Sequence, residues 1–328
     1  MRALRLAAAG GPLELREIPD PEPGPGEVLV DVFACAVCRT DLHIIDGDLE
    51  PSTMPLVPGH QVVGRVAAVG DSVTTVGDAV AAVRPDALVG VPWLGWADGT
   101  CPFCVSGREN LCPQARFTGF DRDGGYAERL VGDARFCLPL PAGSEPATVA
   151  PLLCAGTIGF AGAAPRLGLY GFGNAARLIT QVALHQGRQV LAFTRPGDAQ
   201  TQRLALERGC AWAGDSTEPP PEPLDAAILF AAAGELVPLA LAAVAPGGTV
   251  VCAEIHMTDI PSFPYERLWR ERVVRSVANL TRRDGVELLE LAAEIPIRTD
   301  VETFSLDAVA TAIAFARSGE PATAVLIP

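Results

Sequence analysis

Leu167-Gly168-Leu169-Tyr170-Gly171-Phe172-Gly173-Asn174-Ala175-Ala176 is the stretch on which the fold of this chain turns. A short apolar strand runs into a G-x-G-x-x-A loop, and a helical run follows from Ala176 to Gln186. The first glycine, Gly171, permits a tight turn. The second, Gly173, lets backbone approach a pyrophosphate, and the small Ala176 packs helix against strand. The helix start offers free N–H groups and a partial positive charge to phosphate. Such a loop is weak evidence alone, but alternating units follow it. They are Gln189–Thr194, a helix over Ala199–Arg208, Leu224–Ala231, a helix over Leu236–Ala245, then Gly247–Cys252 and Val273–Ala278. The alternation predicts a doubly wound parallel α/β sheet over residues 155–281, with a dinucleotide as ligand.

Upstream the pattern is mainly β. The turn cluster Pro21–Glu27 leads into Val28–Val32, and Val62–Gly70 reads as a buried strand with Gly64 at a close backbone approach. Gly77-Asp78-Ala79-Val80 begins another strand. Gly124-Gly125-Tyr126-Ala127-Glu128 reads as a turn before a strand and alone says little. Downstream, Gly285–Ala293 and Asp307–Ser318 are helix-like, and Ala324–Ile327 is a terminal strand.

The chain has 328 residues, enough for two domains, and 49% apolar content supplies ample core. A net charge of −14 argues against nucleic acid, which needs a basic face. No apolar run reaches a membrane span, and no signal-peptide pattern is read at the start. The nine cysteines are an odd number, several at metal-like spacing, so a cytoplasmic location with thiols and metal is expected in place of disulfides. Every basic residue is Arg, a bias that fits genomic base composition better than function.

Two cysteine groups carry chemistry. Cys38-Arg39-Thr40-Asp41-Leu42-His43 is followed, twenty-two residues after Cys38, by His60 in Gly59-His60, and Cys154 comes later in Leu152-Leu153-Cys154. Two thiolates and one imidazole suit zinc and leave a fourth position open for water or substrate. The second group is Cys101-Pro102-Phe103-Cys104, then seven residues, then Cys112, in a polar, Gly-rich loop.

With these motifs in order, the chain resembles the zinc-dependent alcohol dehydrogenases of the medium-chain dehydrogenase/reductase family over essentially its whole length. That family carries Cys-Arg-(Ser/Thr)-Asp-x-His, Gly-His-Glu and a later Cys. The resemblance implies a partly open β-barrel-like catalytic domain, residues 1–154 with 282–328 returning to it, plus the Rossmann cofactor domain. It implies a catalytic zinc on Cys38, His60 and Cys154. It also implies a structural zinc in the second loop, where the family has four cysteines. Here Asp98 replaces the first of them, beside Cys101, Cys104 and Cys112. Carboxylate can ligate zinc, though thiolate is preferred.

By the same resemblance Thr40 bonds the reacting oxygen, and His43 ends a proton relay through the cofactor ribose. Asp41 orients His60, and Gln61 stands where the family has Glu. Arg39 reaches the pyrophosphate, Ala253 and Ile255 flank the nicotinamide with Glu254 between them as a departure, and Trp93, with Trp96 nearby, walls the alcohol pocket. Dimers or tetramers are implied as well.

The cofactor is read from residues. The second strand of the dinucleotide sheet ends at Thr194-Arg195, where NAD-specific sites place an acid. A neutral hydroxyl and a guanidinium favour a 2′-phosphate, hence NADP(H) over NAD(H). The expected activity is hydride transfer between a small-molecule alcohol, or its aldehyde or ketone in reverse, and that cofactor. The competing readings are a zinc-free quinone or enone reductase, and a decayed metal-binding protein that keeps the fold.

Overall fold

Alternate residues of the strand Arg166–Tyr170 have opposite destinations. Leu167 and Leu169 join a cluster with Val190, Ala192, Ala226, Ile228 and Val251. Tyr170 joins Leu191, Phe193, Ala227, Leu229 and Val250 on the other face. Successive strand side chains point to opposite faces, so a run that is apolar throughout needs cover on both. Helix residues Ala176, Ile179 and Ala183 cover the first face; Leu236, Val237, Ala240 and Leu241 cover the second. Each large aliphatic side chain buried this way contributes about 1.5–3 kcal/mol.

The computed structural model describes residues 1–73, 83–154, 164–295 and 297–328. The strand expected to begin at Gly77–Val80, and the domain boundary expected at 155, lie outside the described residues. The sheet around Arg166–Tyr170 has six strands, all parallel, in the order Trp212–Asp215, Gln189–Thr194, Arg166–Tyr170, Leu224–Leu229, Val244–Cys252 and Val273–Ser276. This is the doubly wound sheet expected from the loop and its alternating units. The edge strand Trp212–Asp215 was not expected. It is four residues long and contains a glycine, too little for a pattern of period two. Its register pairs Thr194 with Asp215.

The other sheet is mixed. Its order is Val301–Ser305, Thr323–Ile327, Glu27–Ala36, Val62–Val69, Leu88–Val91 and Leu138–Pro139, with Arg129–Asp133 also paired to Glu27–Ala36. Only Val301–Ser305 with Thr323–Ile327 is parallel. Glu27–Ala36 alternates buried and half-buried residues, as a strand with one face on a core must. Among the described residues these strands form no closed barrel, in keeping with the partly open form expected. The strand Val301–Ser305 was also unexpected; only Val301 and Phe304 in it are apolar, and they do not alternate.

The chain divides into two units. One is Met1–Gly156 with Leu280–Glu294 and Arg298–Pro328; the other is Thr157–Asn279 with Ile295–Ile297. Among the described residues, no helix is long and apolar enough to cross a membrane.

Candidate active site

The helix Arg39–Asp46 begins in a capping box made by unusual partners. Cys38 is the N-cap, and its Sγ accepts from Thr40 N at 3.4 Å; Asp41 Oδ2 accepts from Cys38 N at 2.9 Å. Such reciprocal capping satisfies helix N–H groups that have no intrahelical partner. It also fixes the Cys38 thiol at the helix start. The other oxygen of Asp41, Oδ1, accepts from His60 Nδ1 at 2.9 Å, and both side chains are essentially inaccessible. His60 Nε2 is thereby aimed at Cys38 Sγ, 3.3 Å away. Cys154 closes the short 3-10 helix Ala150–Cys154. The ligand atoms of Cys38, His60 and Cys154 all lie within 4.8 Å of one another.

The electrostatics of this cluster follow from burial and pairing. The Cys38 thiol is held well below its ordinary value, first by the hydrogen bond with Cys154 and then, against burial, by His60. Burial opposes charge on His60, but Asp41 and Cys38 outweigh it and hold the imidazole well above its usual value. Burial raises Asp41, with His60 opposing. Two thiols and one imidazole whose second nitrogen is engaged by a buried carboxylate fit zinc, with a fourth position left for a small molecule.

Trp93 packs its ring edge-on to His60, centroids 4.9 Å apart, and stacks on Phe117 at 5.0 Å. Trp96 instead carries the Arg135 guanidinium over its ring. Gln61 is buried next to His60. Thr40 is half-buried, Arg39 is exposed, and His43 Nδ1 pairs with Asp48 Oδ2 at 2.8 Å.

The second cysteine group is also gathered. The ligand atoms of Asp98, Cys101, Cys104 and Cys112 lie within 4.8 Å of one another. Asp98 Oδ1 accepts from Thr100 N at 2.7 Å and Cys101 N at 2.8 Å, and these backbone donors hold its carboxyl well below the usual range. Burial, reinforced by the neighbouring thiols, pushes Cys104 to about 12. Three thiols and a carboxylate suit a closed four-coordinate zinc site.

In the parallel sheet, Gly171 sits at φ +89°, and a Cβ there would lie 3.1 Å from Ala231 N. Gly173 caps the helix Asn174–His185 with no side-chain hydrogen bond, and a Cβ on it would meet nothing within 4 Å. Open space over a helix N-terminus suits a pyrophosphate. Ala176 is fully buried against the strands. Thr194 is buried; its Oγ1 accepts from Gln202 Nε2 at 3.1 Å, which also donates to Asp215 Oδ1 at 2.8 Å. Arg195 and Ile255 are exposed, while Ala253 is half-buried with its N–H on Leu229 O.

Residues 24–142 match the family described as alcohol dehydrogenase GroES-like domain. The chain is 44% identical over 327 residues to a Mycobacterium tuberculosis protein named probable alcohol dehydrogenase AdhA, covering 97% of this chain and 93% of that one. This chain belongs to the alcohol dehydrogenases of the medium-chain dehydrogenase/reductase family. An alcohol dehydrogenase of Geobacillus stearothermophilus is 33% identical, with 90% of each chain covered. Among solved structures, a cinnamyl alcohol dehydrogenase from Sorghum bicolor has a TM-score of 0.87 at 25% identity, covering 99% of this chain and 97% of that one. A Sinorhizobium meliloti 1021 protein bound to NADP has a TM-score of 0.85 at 28% identity, covering 100% and 99%.

Sequence reasoning missed several neighbours of this alcohol dehydrogenase's candidate residues. Asp48 beside His43, and Gln202 and Asp215 around Thr194, come close only through folding. Glu109, almost fully buried, accepts from Arg282 N and Nε at 3.1 and 3.0 Å and ties the cysteine loop to the helix Arg282–Glu294. A separation of 173 residues left no local signal for that pair.

Proposed function

We propose that this chain is a zinc-dependent alcohol dehydrogenase that interconverts alcohols and aldehydes or ketones with NADP(H). The observation that carries the proposal is the convergence of Cys38, His60 and Cys154, with Asp41 fixing the imidazole. These three residues would hold the ion. Bound there, zinc supplies Lewis-acid polarisation of a substrate oxygen, and bound nicotinamide supplies or accepts the hydride.

The chain's own residues do the rest. Asp41 engages His60 Nδ1, so that Nε2 is the nitrogen left to a metal ion. Thr40, half-buried at the helix start, holds the proton of the substrate hydroxyl, and His43 passes a proton outward, with Asp48 on its Nδ1. Trp93 backs His60 and walls the substrate side. Gln61, neutral where the family has Glu, leaves the centre more electropositive. Gly171, Gly173 and Ala176 form the pyrophosphate turn, with Arg39 as a further phosphate partner and Ala253 and Ile255 at the nicotinamide.

Thr194 offers no charge to repel a 2′-phosphate, and exposed Arg195 can meet one. The NADP bound to the Sinorhizobium meliloti relative supports the same choice. Asp98, Cys101, Cys104 and Cys112 would hold a structural zinc. The unit containing the mixed sheet is proposed as the catalytic domain, the parallel-sheet unit as the cofactor domain, and a homodimer or homotetramer as the assembly. A zinc-free quinone or enone reductase has no use for the thiol and imidazole set.

The test is cofactor reduction with a panel of primary and secondary alcohols, before and after zinc chelation and after zinc is restored. Alcohol-dependent reduction that chelation abolishes and zinc restores is expected. Reduction indifferent to the chelator would remove the metal from the reaction.

A further inference from the structure

The corner proposed to receive a 2′-phosphate holds more than Thr194 and Arg195. Thr194 is buried, and its hydroxyl is spent inside the protein. It accepts from Gln202 Nε2 at 3.1 Å, and its own O–H faces the carbonyls of Arg195 at 3.3 Å and Gly214 at 3.4 Å. A hydroxyl has one proton to give and two lone pairs, so little of Thr194 is left for a ribose. Arg195 is exposed and supplies the positive charge of the corner.

The neighbouring strand supplies the opposite charge. The parallel register pairs Asp215 with Thr194. Each residue closes its strand, Trp212–Asp215 and Gln189–Thr194, at the carboxyl edge of the sheet, where open α/β sheets bind their ligands. Asp215 is half-buried, and its Oδ1 accepts from Gly197 N at 3.0 Å and from Gln202 Nε2 at 2.8 Å. Gly197 belongs to the turn that Asp198 N closes on Arg195 O at 3.1 Å. The carboxylate is therefore tied to the backbone of the turn that carries the guanidinium. Two acids nearby are turned elsewhere. Asp198 Oδ1 caps the helix Ala199–Glu207 through Thr201 N at 3.0 Å, and Glu218 Oε2 accepts from Asp215 N at 3.3 Å.

NAD-specific sites place an acid at the end of the second strand, where it accepts from the ribose. Here the acid stands one strand over. We infer that Asp215 is a specificity-determining residue for the cofactor: its carboxylate opposes the 2′-phosphate that Arg195 attracts, and so narrows the preference for NADP(H). The inference rests on reading the Thr194-Arg195 turn as the 2′-phosphate site. Like charges at a partly exposed corner repel modestly, and added salt screens them.

Asp215→Asn isolates the charge. Both side-chain bonds fall on Oδ1, and a single amide oxygen can accept both. The probes are 2′-phospho-ADP-ribose and ADP-ribose, which differ only in the 2′-phosphate. Each is titrated calorimetrically into the full-length protein at low and at high salt. The readout is the ratio of the two affinities, phosphorylated over unphosphorylated. Asp215→Asn should raise that ratio by about threefold to tenfold at low salt, and by less at high salt. A ratio that stays at the wild-type value at low salt would overturn the inference. So would a rise that salt does not reduce, because that is a change of packing and not of charge. Arg195→Ala run in parallel separates the two readings. If Arg195→Ala leaves the ratio at the wild-type value, the turn is not the 2′-phosphate site and the role of Asp215 falls with it. If Arg195→Ala lowers the ratio while Asp215→Asn leaves it unchanged, only the role of Asp215 fails.

Discussion

Asp41→Asn changes almost no volume and removes one charge at a fully buried position of the centre. Both oxygens of Asp41 accept, one from His60 Nδ1 and the other from Cys38 N, each at 2.9 Å. An asparagine has one acceptor oxygen and one donor amide, so either His60 or Cys38 must face an N–H group. If His60 loses its partner, the imidazole is free to turn or change tautomer. If Cys38 loses it, half of the capping box goes, at about 0.5–2 kcal/mol. A hydrogen bond to a charged group is worth about 1.5–3 kcal/mol, which corresponds to roughly ten- to hundredfold in an equilibrium constant. That range agrees with the loss of about 10–100-fold in metal affinity seen when outer partners of ligating histidines are removed. The assay is zinc affinity by competition with a chromophoric chelator, with circular dichroism to confirm the fold. Zinc affinity within about twofold of wild type, in a background where His60→Ala still abolishes binding, would refute the claim that Asp41 fixes the ligand.

Three further outcomes are expected. Gly173→Val should leave the melting temperature within a few degrees, because the added side chain meets open space, yet weaken NADP(H) binding by about tenfold or more at the helix N-terminus; calorimetric titration checks it. Arg195→Ala should cut the NADP+ over NAD+ preference in kcat/KM by about tenfold, the low end for a charge-assisted contact because Arg195 is exposed and screened; unchanged values for both cofactors would make Arg195 a solvent-facing residue. Cys104→Ser should lower the zinc content by one ion per chain and lower thermal stability more than the chemical step, since a structural metal contributes folding free energy; metal analysis beside a melting curve checks it.

The parallel sheet was legible because its signals are local. Gly171, Gly173 and Ala176 lie within six residues, and the flanking strands are continuous apolar runs. The short edge strand Trp212–Asp215 carried no such pattern, so Asp215 and Gln202 beside Thr194 went unseen. The thiols and His60 could be chosen from spacing and context, and the folded chain brings those residues within 4.8 Å. What spacing could not reveal was the capping role of Cys38, because cysteine is not among the preferred N-cap residues. Nor could it reveal that Gly124, in an apparently ordinary turn, leaves no room for a Cβ beside Gly59, since that demand comes from a loop some 65 residues earlier in the chain. Tertiary proximity set each of these features, and no local preference recorded it.

The most direct single measurement is alcohol-dependent NADP+ reduction by Cys38→Ser, alongside its NADP(H) affinity. The expected result is turnover reduced beyond detection while NADP(H) binds as in wild type, because Cys38 serves the metal centre and the parallel sheet keeps its own core. Full turnover in Cys38→Ser would contradict a metal-assisted reaction at Cys38, His60 and Cys154.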